Sequence, residues 1–91
     1  MGELDHEVVF PGFKEMAQRR RRLSADLAAR RIDLGLSQTQ VAARMGTSQS
    51  AVARMESGLG DLRLSTLQRY AAALESRLEL RLGPPTPADD D

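Results

Sequence analysis

Two stretches stand back to back in this chain, "LSQTQVAARMG" and "TSQSAVARMESG", each opening on polar side chains and continuing with small and apolar residues at helical spacing. Glutamine amides, serine hydroxyls and arginine guanidinium groups at such positions bind through hydrogen bonds and charge. The side chains that break bonds are scarce. There is no cysteine, which excludes thiol nucleophiles, thiolate-bound zinc and disulfides, and the lone His6 lies in a polar start where solvent exposure is the ordinary role. No paired carboxylates share a predicted cleft, no nucleotide-binding glycine loop is present, and the serines read as helix caps. A binding protein is expected, without enzymatic activity, cofactor or metal.

Charge distribution narrows the partner. Thirteen basic and thirteen acidic residues cancel over the whole chain. All thirteen basic residues lie between Lys14 and Arg81 beside only seven acids, a net of +6, whereas Glu3, Asp5, Glu7, Asp89, Asp90 and Asp91 sit at the ends. A basic module with acidic ends suits a polyanion such as nucleic acid. No apolar run reaches membrane-spanning length and no leader pattern opens the chain, so a protein of the reducing cytoplasm with no membrane partner is expected.

These side chains must be positioned by a small domain. With one tyrosine, two phenylalanines and no tryptophan, its core has to be leucine, valine, alanine and methionine, thin enough that a second copy would help. Residues 1–12 read as an N-terminal arm, with the apolar run 8–10 stopped by Pro11 and Gly12. A helical period from Phe13 through Met16, Ala17, Leu23, Leu27, Ala28 and Ile32 ends near Gly35, with a break into two helices near residues 22–24 as an alternative. Ser37 and Gln40 have capping-box spacing for a helix through Val41, Ala42 and Met45 that Gly46 ends; Thr47 or Ser48 caps the next, through Ala51, Val52 and Met55 to Gly58. Ser65 and Gln68 repeat the spacing ahead of Leu67, Tyr70, Ala71 and Leu74. The period then drops to two at Leu78, Leu80 and Leu82, which predicts a strand over residues 77–82. The proline-rich acidic tail, 83–91, is expected to be disordered. The expected fold is mainly α: four or five helices, residues 13–76 forming one helical domain, and a short C-terminal β-strand.

Ala42 is small where two helices must cross, Gly46 permits the sharp turn between them, and Val41, Val52 and Met55 supply a shared seam: the requirements of a helix-turn-helix. The segment "LGLSQTQVAARMGTSQSAVARMESG", residues 34–58, resembles the phage-repressor-like (Xre/Cro) helix-turn-helix family at every position of its pattern. The following "LRLSTLQRYAAALESRLELRL" is similar to the HigA-like antitoxins of type II toxin-antitoxin systems. The resemblance implies a lambda-repressor-like domain whose recognition helix, residues 48–56, turns Gln49, Ser50 and Arg54 to the major groove. Those types suit the task, since glutamine pairs with adenine, arginine with guanine, and serine with either. It also implies phosphate contacts by Gln38 and Ser48 at helix N-termini, and an ion pair of Arg31 with Glu56.

Arg44 and Arg20 are further phosphate candidates, with a solvated face as the alternative for Arg44. In the run of four arginines, residues 19–22, at least one must turn toward the protein body or a partner rather than DNA; phosphate, a protein partner or acidic tail, and solvent all remain open for the run. The loop "LGDLR" departs from the family, which often carries further basic residues there, so backbone affinity should lean on those arginines and on two copies.

By the same resemblance, the chain would be an antitoxin of the bacterial cytoplasm that represses its own operon at a double-stranded operator and binds a RelE/HigB-like toxin, a ribosome-dependent mRNA endonuclease. A stand-alone dimeric repressor without a toxin is the alternative. The toxin would meet Val8, Val9, Phe10, Phe13 and Met16, with Glu15 and Arg19 nearby, unless the arm covers its own core or pairs with the C-terminal strand. Leu78, Leu80 and Leu82 would join two copies into a homodimer.

Overall fold

The computed structural model describes residues 13–84 and contains four helices: α1 (Phe13–Asp33), α2 (Gln38–Met45), α3 (Gln49–Ser57) and α4 (Leu64–Ala73). The first is one uninterrupted helix of 21 residues, about 31 Å long, with no break at the arginine run. It ends where Gly35 takes φ 75°, and Leu36 N–H reaches back to Arg31 carbonyl at 3.1 Å. That return bond closes the last turn and delivers the chain to α2.

The starts of α2 and α3 are local in origin. Ser37 Oγ accepts from Gln40 N–H at 3.0 Å while Gln40 Oε1 accepts from Ser37 N–H at 2.7 Å, a complete capping box. Ser48 caps α3 by accepting from Ala51 N–H at 3.1 Å. Between them Gly46 stands at φ 73°, and Thr47 N–H bonds Ala42 carbonyl at 2.9 Å. The same turn that stops α2 thus starts α3 within a few residues. Helix α4 begins without the Ser65 hydroxyl cap that the spacing suggested; its N-cap is Arg63, with no side-chain capping bond. Leu62 and Leu67, both packed in the core, flank this start at the positions of a hydrophobic staple, which fixes the entry of the chain by apolar contact instead.

Val41 and Ala42 of α2, Val52 and Met55 of α3, Leu67 and Tyr70 of α4 and Leu74 just after it close on Leu27 of α1 to make the core. Val41, Val52 and Tyr70 are fully buried, and each valine side chain contributes about 1.5–3 kcal/mol by leaving water. Gly58, at φ 77°, lets α1 approach the end of α3 so closely that its position abuts Arg21. No helix among the described residues is long and apolar enough to cross a membrane.

The C-terminal segment corrects the sequence reading. There is no β-strand among the described residues, and residues 77–84 follow α4 as irregular chain. A strand exists only where a neighbouring strand takes up its backbone N–H and C=O groups, and the described chain offers none. Nor do the three leucines share one covered face: Leu78 is half-buried against the core, while Leu80 and Leu82 are 63% and 99% exposed. The alternation is a property of the sequence here and not of the backbone.

Candidate nucleic-acid interface

The centre of the site is the carboxylate of Glu56, near the end of α3. Arg31 of α1 grips it with two parallel bonds, Nε to Oε2 at 2.8 Å and Nη2 to Oε1 at 3.0 Å, and gives its remaining Nη1 to Leu36 carbonyl at 2.8 Å. The two side chains retain only 12% and 6% of their exposure. Tyr70 of α4 donates its hydroxyl to Glu56 Oε2, and Gln38 of α2 donates Nε2 to Oε1 at 2.9 Å. Each carboxylate oxygen therefore accepts two hydrogen bonds, the full capacity of the group. All four helices meet at this one side chain.

The electrostatics follow from that geometry. Burial pushes the Glu56 carboxyl up, but the bonds from Arg31, Tyr70 and Gln38, with the Arg31 charge, outweigh it and hold the group below its ordinary value. The bond to Glu56 raises the Arg31 guanidinium further despite burial. Burial, then the bond to Glu56, drive the Tyr70 phenol well above its ordinary range. Glu56 is thus an anion, and Tyr70 a neutral donor, at physiological pH.

From Glu56 the network runs outward. Gln38 Oε1 accepts Gln49 Nε2 at 2.6 Å, so the first side chain of α2 holds the first side chain of α3. Gln49, Ser50 and Arg54 are all exposed and, at 100° per residue, lie within an arc of about 140° on α3, opposite buried Val52 and Met55. Ser48 Oγ lies 3.2 Å from Ser50 Oγ in addition to capping the helix. The α2–α3 turn therefore presents one exposed row of amide, hydroxyl and guanidinium groups on a firmly braced helix.

The remaining arginines are placed more individually. Arg44 donates Nη1 to Ala73 carbonyl at 2.7 Å, setting a positive group at the C-terminal end of α4. Arg20 is half-buried, its Nη1 3.9 Å from Asp61 Oδ1 and its Nε buried without a hydrogen-bond partner. Arg21 lies against Gly58, while Arg19 and Arg22 are exposed. Of the residues assigned to a toxin, Val8, Val9 and Phe10 lie outside the described residues, Phe13 begins α1, and Met16 is 51% exposed.

Sequence reasoning treated Tyr70 only as core. The missed signal is chemical: a buried tyrosine hydroxyl needs a partner, and the single tyrosine of this chain lies on a face of α4 whose other buried residues are Leu67, Ala71 and Ala73.

The helix-turn-helix family model matches residues 27–80, more than half of the chain. The chain is also similar to the antitoxin HigA1 of Mycobacterium tuberculosis, in strains CDC 1551 / Oshkosh and ATCC 25618 / H37Rv: 49% identical over 77 residues, covering 85% of this chain and 52% of the relative. It thus spans about half the length of the curated relatives it matches. No solved structure matches it. Since α2, the Gly46 turn and the exposed row of α3 all fall within residues 27–80, the chain belongs to the helix-turn-helix family.

Proposed function

We propose that the chain is a sequence-specific DNA-binding antitoxin of the bacterial cytoplasm that represses its own operon and neutralises a RelE/HigB-like toxin by direct binding. It acts as a binder and not as an enzyme. The observation that carries the DNA reading is the exposed row of Gln49, Ser50 and Arg54 on a helix anchored through Glu56. Arg54 suits guanine O6 and N7, Gln49 suits adenine, and Ser50 accepts or donates as the base requires. Gln38, Ser48 and Arg44 would meet flanking phosphates, with the backbone N–H groups at the start of α2 adding to the anion site. Arg20 would join them only by turning from Asp61.

Two copies on a two-fold operator would add their affinities, and the exposed Leu80 and Leu82, with Leu78, are the proposed contact between copies. The antitoxin half of the reading is supported by 49% identity to the HigA1 antitoxin across 85% of this chain. Its toxin-facing surface would be Met16 and Phe13 with the preceding Val8, Val9 and Phe10. A stand-alone dimeric repressor is the second reading, favoured by the confinement of the family match to residues 27–80.

The test is to express the chain with the product of the adjoining reading frame and with a reporter behind the operon's own promoter. Repression together with a stable complex that relieves growth arrest supports the antitoxin. Repression without binding of any adjacent product selects the stand-alone repressor, and absence of both overturns the proposal.

A further inference from the structure

We propose that Glu56 determines which base Gln49 prefers, because its carboxylate dictates the orientation of two consecutive side-chain amides. This rests on the reading of Gln49 as a base contact and adds Glu56 as the positioning residue behind it.

The argument is one of hydrogen-bond direction. An ionised carboxylate only accepts. The Gln38 amide can therefore face Glu56 Oε1 only with its NH2 group, as the 2.9 Å bond from Nε2 shows. Its oxygen must then face the other way, toward α3, where it accepts Gln49 Nε2 at 2.6 Å. Gln49 in turn spends one N–H on Gln38 and keeps a second N–H and its carbonyl oxygen, one donor and one acceptor. That pair matches adenine, whose major-groove edge offers the N7 acceptor and the N6 donor.

The opposite setting has the opposite consequence. If Gln38 presented its NH2 group to Gln49, the Gln49 oxygen would accept it and both Gln49 N–H groups would face outward. Two donors match guanine, whose edge offers only the O6 and N7 acceptors. The choice between adenine and guanine thus depends on a group that touches neither base. Arg31 and Tyr70 keep Glu56 from turning: Arg31 spans both carboxylate oxygens and Tyr70 occupies Oε2. Glutamine at position 56 could donate to the Gln38 oxygen, and the direction of the whole chain would no longer be set.

The experiment uses the full chain and a pool of randomised duplexes. Selection and sequencing with wild type and Gln49→Ala identify the base position whose preference depends on Gln49. The Glu56→Gln variant is made together with Arg31→Met, so that no unpaired buried cation unfolds the domain. At the Gln49 position this double variant is expected to lose roughly tenfold of its adenine-over-guanine preference, while positions read by Arg54 keep theirs. Tyr70→Phe removes a donor but leaves the acceptor-only carboxylate, so it is expected to lower stability and keep the adenine preference. In the free protein, the side-chain amide NMR signals of Gln38 and Gln49 should both shift in the double variant, and those of Gln49 should shift in Gln38→Leu.

Unchanged Gln49 amide signals and unchanged preference in the double variant overturn the relay while leaving base contact by Gln49 intact. No base position that depends on Gln49 overturns both. Loss of adenine preference in Tyr70→Phe as large as in the double variant also overturns the proposal, since general loosening would then suffice.

Discussion

Gly58 lies so close to Arg21 that a Cβ added to it would stand 2.9 Å from Arg21 Cγ and 3.0 Å from its Cα. The end of α3 is therefore seated directly on the backbone of α1, within the arginine run. Gly58 also adopts φ 77°, so Gly58→Ala combines left-handed strain with a clash against main chain. We expect it to destabilise the domain by about 2–4 kcal/mol. Gly46→Ala is the comparison, because φ there is 73° but nothing lies within 4 Å of the added Cβ; it should cost only about 1–2 kcal/mol. Urea unfolding of both variants checks the difference, and equal losses would show that the Arg21 contact relaxes.

Acid should weaken the fold through Glu56. Its folded value lies below the ordinary 4.5, so the stability it contributes is present above that pH and is lost as pH falls through the lower folded value, the unfolded chain binding the proton first. Other carboxylates titrate in the same window. The measurement is therefore a difference: melting temperature against pH for wild type and for Glu56→Gln with Arg31→Met. The wild-type curve should fall more steeply below pH 4.5.

Alkali should act through Tyr70 with the opposite sign. Its folded value is raised above 10.0, so this contribution is complete below that pH and declines as pH rises above it, when unfolded chains ionise first. As the chain has one tyrosine and no tryptophan, phenolate absorbance reports this residue alone. Phenolate should appear together with loss of helicity, and a phenolate forming at pH 10.0 in a fully helical protein would refute the buried bond to Glu56.

The elements around the interface were legible because their signals are local. Ser37 with Gln40, Ser48 with Ala51 N–H, and Gly46 each act within a few residues of themselves, and short-range hydrogen bonding can be read from spacing. The strand over residues 77–82 could not be read this way, because period-two spacing is local whereas a strand requires a partner that no spacing reveals. The same distinction explains Tyr70 and Arg44. Tyr70 meets Glu56 across 14 positions and Arg44 meets Ala73 across 29, separations at which side-chain direction depends on the packing of whole helices. Residue type indicated that Gln38 and Gln49 could bind; that they bind each other emerged only from the crossing of α2 and α3.

Relaxing one strained residue should stabilise the domain. Glu75 is the single non-glycine with positive φ among the described residues, at 54°, and it follows α4 where Ser76 N–H returns to Ala71 carbonyl at 2.9 Å. Glycine adopts that conformation without a Cβ penalty, although it gives the unfolded chain more freedom. Glu75→Gly should gain roughly 0.5–1 kcal/mol, measured by thermal denaturation, and a loss would mean that the exposed Glu75 side chain makes a favourable contact.

The two kinds of DNA contact should separate by their response to sequence and salt. Arg54 has its guanidinium on the exposed row of α3, so Arg54→Ala should lose about 1–3 kcal/mol of preference for the selected duplex over a random one. Arg44 sits on α2 with part of its fork committed to Ala73, and its remaining donors would meet a phosphate, which carries no base identity. Arg44→Ala should therefore weaken both duplexes by similar factors and lower the dependence of log affinity on log salt by about 1. Because that substitution also frees the end of α4, each affinity is corrected for the folded fraction measured under the same salt. Equal losses on both duplexes for Arg54→Ala would remove it from base reading. A salt slope unchanged in Arg44→Ala would assign Arg44 to the join between α2 and α4 alone.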